Sequence, residues 1–135
     1  MKNRKAILST LWVFVTVNYI FCDVLSLMYP EDLKQIMSGT VGSIQLTQRF
    51  LLGTALFMEL PFALILLSRV LKYKANRMVN IIAGLIMTVI QIMSLFVGTA
   101  STLHYVFFSI IEIACTSFIV WYAWVWPKPD PVLQD

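Results

Sequence analysis

Four long apolar stretches dominate the chain, at residues 6–28, 50–71, 78–97 and 103–126. A bilayer core takes about 20 mainly apolar residues per helix, so each stretch is long enough to span. Each holds at most one or two strongly polar side chains and is bounded by polar or turn-forming sequence. The alternation a membrane barrel needs is missing, and open strands cannot cross lipid. The pattern predicts an all-α fold: a four-helix transmembrane bundle forming a single integral membrane domain over residues 1–135. The first stretch is longer than a signal peptide's apolar region of about 7–15 residues, and no A-x-A-like site follows it. It is expected to stay in the mature protein.

The connections carry their own signals. Residues 72–77 read as a tight basic turn between the second and third spans. Residues 30–45 are longer. Within them Leu33, Ile36 and Met37 fall on one helical face, Glu31, Asp32 and Lys34 fall elsewhere, and Pro30 and Gly39 punctuate the ends. This suggests a short interfacial helix in the first outer loop, with an irregular loop as the alternative. Pro127, Pro129 and Pro131 end the fourth span and lead into an extended tail.

Composition makes the solvent explicit. Hydrophobic residues are 59% and charged residues 13%, where a soluble domain is roughly half apolar and about a quarter charged. So apolar a chain needs lipid and cannot be disordered. The net charge of +3 bears on orientation and gives no reason to expect nucleic acid. Lys2, Arg4, Lys5, Arg69, Lys72, Lys74, Arg77 and Lys128 lie on one side, and only Lys34 and Arg49 on the other. Basic loops stay inside, so both termini are expected in the cytoplasm, with the protein multi-pass in the cytoplasmic (inner) membrane. Trp12, Trp121, Trp124 and Trp126 fall near the same boundary, where an aromatic belt belongs.

The segments at residues 66–77 (LLSRVLKYKANR), 8–28 and 110–126 resemble an uncharacterised prokaryotic family of small four-span membrane proteins, one catalogued only as a domain of unknown function. That resemblance implies a fold class and a membrane home. It implies no activity and no site residues.

Ionisable groups inside spans are the informative ones, since each costs about 2.5–3.5 kcal/mol at mid-bilayer. Three acids are so placed: Asp23, Glu59 and Glu112. At about 1.5 Å per residue, Asp23 lies ~9 Å below the outer boundary and the two glutamates ~14 Å down. The second and fourth spans run parallel, so Glu59 and Glu112 are expected at one depth. If both face the bundle axis, they form a pair suited to a proton-linked site or to anchoring a cation. Gln91, Asn18 and Tyr19 add polar groups to the outer half, and Arg49 and His104 stand at its mouth. Asp23 is expected to pair with Arg49 or with Tyr19 at i, i+4. Pro61 should free a backbone carbonyl near residue 57, beside Glu59. Gly53 and Gly84 permit close helix approach, but no GxxxG occurs and dimerisation is not predicted on that ground. Cys22 and Cys115 read as small core residues rather than a disulfide.

Motifs for nucleotide, zinc-protease, serine-hydrolase or thiol-redox chemistry are absent, so no cofactor and no metal site are expected. The leading expectation is a protein that binds, and carries, a small amphipathic, lipid-like or cationic ligand in an outward-facing polar pocket. Glu59, Glu112, Asp23, Arg49, Gln91, Asn18, Tyr19 and His104 are its candidate ligand-binding residues, with membrane lipids as the other partner. Two alternatives stand beside it: an acid–base enzyme on a lipid-like substrate using the two glutamates, and a non-catalytic accessory subunit of a membrane complex.

Overall fold

The computed structural model describes residues 3–96 and 102–128. The expected tail at Pro129 and Pro131, the end of the third span at Val97 and most of the 98–102 connection lie outside the described residues. Within them the chain runs α1 (Arg4–Met28), α2 (Pro30–Met37), β1 (Thr40–Val41), β2 (Ile44–Gln45), α3 (Gln48–Val70), α4 (Tyr73–Ser94) and α5 (Leu103–Trp124). Four of these helices, α1, α3, α4 and α5, are long and apolar enough to cross a membrane, which makes this a multi-pass membrane protein.

The helix starts are written locally. Side-chain oxygens of Asn3, Thr47 and Thr102 accept from the backbone N–H three residues on, capping α1, α3 and α5. Pro30 opens α2, where its missing N–H costs nothing. Asn76, on α4, donates to the carbonyls of Ser68 and Leu71 and so caps the end of α3. The α3–α4 turn is therefore shorter than expected. α4 begins at Tyr73, five residues before the apolar pattern starts, because Lys74, Asn76 and Arg77 find partners or solvent at the bundle end.

α4 and α5 form the closest helix pair, and α1 bridges α3 to α5, while α3 meets α4 sparsely. A Cβ built on Gly84 would sit 2.6 Å from Val120 Cγ2 and 3.3 Å from the Thr116 carbonyl, so only glycine admits this approach of α4 to α5. Gly53, by contrast, has nothing within 4 Å of its Cβ position and brings no helix close. Along the α4–α5 seam, Thr88 bonds Thr116 at 2.7 Å, Gln91 donates to Ser109 at 2.8 Å and Tyr105 donates to Ser94 at 2.6 Å. These side-chain bonds fix the register of the two antiparallel helices.

Both ends of the described chain meet at one end of the bundle. Arg4 donates to the Tyr122 carbonyl, and Arg77 donates to those of Ala123 and Trp124. Cations thus neutralise the open carbonyls at the α5 C-terminus. Just inside this basic end lies a buried network that the hydropathy pattern hides. Trp12 Nε1 donates to Asn80 Oδ1 at 2.7 Å, Ser68 donates to the same oxygen, and Asn80 donates to the Asn76 carbonyl and side chain. Trp12 is accordingly fully buried and is no part of an interfacial belt, whereas Trp121 and Trp124 are exposed.

Candidate functional site

At the opposite, loop end, α2 and a small hairpin fold over the mouth of the bundle. The turn between the strands is Gly42–Ser43, with Gly42 at φ +59° and no positive φ at Ser43, which makes it a type II′ turn. Gln35 accepts from the Gly42 N–H at 3.1 Å and ties the hairpin to α2. The short helix expected from the sequence in the first outer loop exists, as α2. Leu33 and Met37 are exposed, while Asp32, Gln35 and Ile36 turn toward the bundle.

Beneath this cover is a cavity of about 740 Å³, within the roughly 300–1,000 Å³ of sites that hold drug-sized molecules. Every helix contributes to it. α1 supplies Asp23, Ser26 and Leu27; α3 supplies Phe50 and Thr54; α4 supplies Ile90, Met93 and Ser94; and α5 supplies Tyr105. α2 and the hairpin add Asp32, Gln35, Ile36, Val41 and Ile44. The wall is mainly apolar, it carries two carboxylates, and among the described residues it contains no Lys, Arg or His. It is also open-sided, because residues 48–56 of α3 are all exposed and α3 touches α4 sparsely.

A second polar group lies deeper, between α1 and α5. Cys115 Sγ against the Leu11 carbonyl, and His104 against Ser26 at 3.1 Å, set the pairing of the two helices and place Glu112 level with Thr16. Glu112 is 1% exposed. Its Oε1, the Thr16 hydroxyl and the Tyr19 hydroxyl are all buried without a hydrogen-bond partner among the described residues. Tyr19, Cys22 and Asp23 lie within electrostatic reach of the Glu112 carboxyl. One helical turn, about 6 Å, separates Asp23 in the cavity wall from Tyr19 below it. Buried polar atoms are almost always paired, so these three are the natural candidates for a polar site beneath the cavity.

The eight sequence candidates divide on these grounds. Asp23 lines the cavity, and Tyr19 and Glu112 form the buried group beneath it. Gln91 is engaged with Ser109, and His104 joins the start of α5 to Ser26. Asn18 donates to the Phe14 carbonyl of its own helix and is spent there. Arg49 is exposed, with no ion pair to Asp23, and the Tyr19–Asp23 hydrogen bond is not formed, since Tyr19 points into the core. The Glu59–Glu112 pair is also not formed. Glu59 is exposed on the far side of α3, because the core-facing side of that helix is taken by Pro61, Leu64 and Ser68. With it goes the two-glutamate acid–base arrangement. Asp32 and Tyr105 in the cavity and Thr16 beneath it are the site residues that the sequence reading missed. Among the described residues no three His, Cys, Asp or Glu side chains gather to hold a metal, and Cys22 and Cys115 are free and buried.

A family model matches residues 1–132, almost the whole chain. The chain belongs to a family of unknown function, DUF6326. No curated protein and no solved structure matches it. The DUF6326 model gives the chain its family and no chemistry.

Proposed function

We propose that this protein binds a small cationic amphiphile in the loop-end cavity and carries it across the cytoplasmic membrane, with the basic end of the bundle in the cytoplasm. The observation that supports the binding step is the wall itself: Asp23 and Asp32 face a mainly apolar space of about 740 Å³, its other polar groups are uncharged, and its lining holds no cation among the described residues. Two carboxylates in a weakly solvated pocket repel anions and neutral polar molecules pay to enter it, whereas an ammonium head on an alkyl body satisfies both parts of the wall. The gap between α3 and α4 supports entry of such a molecule from the bilayer side. The carrying step rests on Glu112, Tyr19 and Thr16, which extend polar groups from the cavity toward the middle of the bundle.

The binding step is tested with dodecyltrimethylammonium as probe, by calorimetry on the protein in nanodiscs of phosphatidylcholine. Saturable binding is expected, with dodecyl sulfate failing to compete. The Asp23→Asn/Asp32→Asn double variant should weaken it by at least about tenfold, or about 1.4 kcal/mol. Equal binding of both amphiphiles, or a double variant as tight as the natural protein, contradicts the reading.

A further inference from the structure

α3 is the least enclosed of the spanning helices: 11% of its most apolar stretch is buried, against 33% for α5. Its exposed side is also regular. Leu52, Leu56, Glu59, Ala63, Leu66 and Val70 follow one another at alternating spacings of four and three, the seam of a heptad repeat. Leu52, Leu56, Leu66 and Val70 are 62–70% exposed, Glu59 is exposed, and Ala63 is half-buried. At 3.6 residues per turn this seam lies diametrically opposite Phe50, Pro61, Leu64 and Ser68, the residues of α3 that face the cavity and core.

Glu59 sits at the centre of the helix, about 16 Å from either end, too far for its side chain to reach water along the surface. It makes no hydrogen bond or ion pair among the described residues. Lipid offers such a group nothing, so an occupant of this face must present a hydrogen-bonding partner at mid-helix depth. A second copy of the same chain does so by symmetry. Two copies inserted the same way have parallel α3 helices with Glu59 at equal depth. Carboxyl groups hydrogen-bond to one another in pairs, so each copy supplies the partner the other lacks. The heptad spacing lets the leucines interlock on either side at the shallow crossing angle usual for membrane bundles.

We infer that the protein is a homodimer through the α3 seam, with the two Glu59 carboxyls hydrogen-bonded across the two-fold axis. The inference is independent of the proposed ligand, since the seam and the cavity use opposite sides of α3.

Native mass spectrometry and single-molecule photobleaching in nanodiscs of the full chain test it. The natural protein should be dimeric. Glu59→Gln, whose amide also donates and accepts, should stay dimeric, while Glu59→Leu should lose at least tenfold in association and remain folded, because the site is exposed. Cysteines introduced at Leu52 or Leu66 should cross-link between copies, and a cysteine at Thr54, on the cavity side, should not. A monomer with no cross-link overturns the inference, as does a dimer unmoved by Glu59→Leu. A monomer that co-purifies with a different protein through Glu59 likewise overturns it.

Discussion

Replacing Glu112 by Met should make the protein more stable and at the same time inactive. Glu112 is 1% exposed, and among the described residues its Oε1 has no partner, nor do the buried Thr16 and Tyr19 hydroxyls. An unsatisfied buried polar atom costs about 1–3 kcal/mol, and an apolar side chain of similar length removes that cost without leaving a hole. A gain of about 1–3 kcal/mol is therefore expected in an unfolding titration in mixed micelles, with Glu112→Gln, which keeps a polar head, gaining little. Movement of dodecyltrimethylammonium into liposomes under an imposed pH gradient should be lost in Glu112→Met. The accessory-subunit reading predicts the opposite sign. If the carboxyl were bundle glue, its removal would destabilise the protein and leave binding alone.

Gly84→Leu should abolish the fold. Even a methyl group at this position would meet the stiff, β-branched Val120 at 2.6 Å, with the Thr116 carbonyl at 3.3 Å behind it. The four carbons of leucine force α4 from α5, pulling apart the Thr88–Thr116, Gln91–Ser109 and Ser94–Tyr105 bonds together. Overpacking alone costs about 1–3 kcal/mol, and with the lost seam the total should exceed about 3 kcal/mol. Gly53→Ala is the control: its Cβ meets nothing within 4 Å, so stability should be unchanged or slightly higher. Equal effects at the two glycines would show that the α4–α5 contact does not hold the bundle.

What the sequence makes legible is depth along each helix. Lipid demands long apolar runs, so the four spans are readable to within a few residues, except where α4 extends into polar sequence. There Asn76 and Asn80 recur at i, i+4 with Ser68 close by in sequence, a polar stripe that becomes visible only once residues 73–77 are taken as helical. Rotation is the quantity that stays hidden. α3 is apolar on both sides, and nothing in the local pattern tells Leu56 and Leu66, which face outward, from Leu64, which is buried. The condition that Glu59 faces the bundle axis thus fails on rotation, which the sequence does not carry. The short loop helix was legible, but not its facing: in α2 the apolar Leu33 and Met37 are exposed while Asp32 lines the cavity. The hairpin has a readable sign, Thr-Val-Gly-Ser-Ile-Gln with glycine opening a two-residue turn, but it is only two residues long on each side.

A cationic amphiphile is expected to sit in the loop-end cavity. The direct measurement is photo-labelling in nanodiscs with an alkyltrimethylammonium carrying a diazirine on its chain, followed by peptide mapping. Labels concentrated on the α2–hairpin segment, on the first turns of α3 and α5 and on the last turns of α4, and suppressed by excess dodecyltrimethylammonium, are the predicted result. Labels spread evenly over the lipid-facing sides of the helices, and unmoved by the competitor, would contradict it.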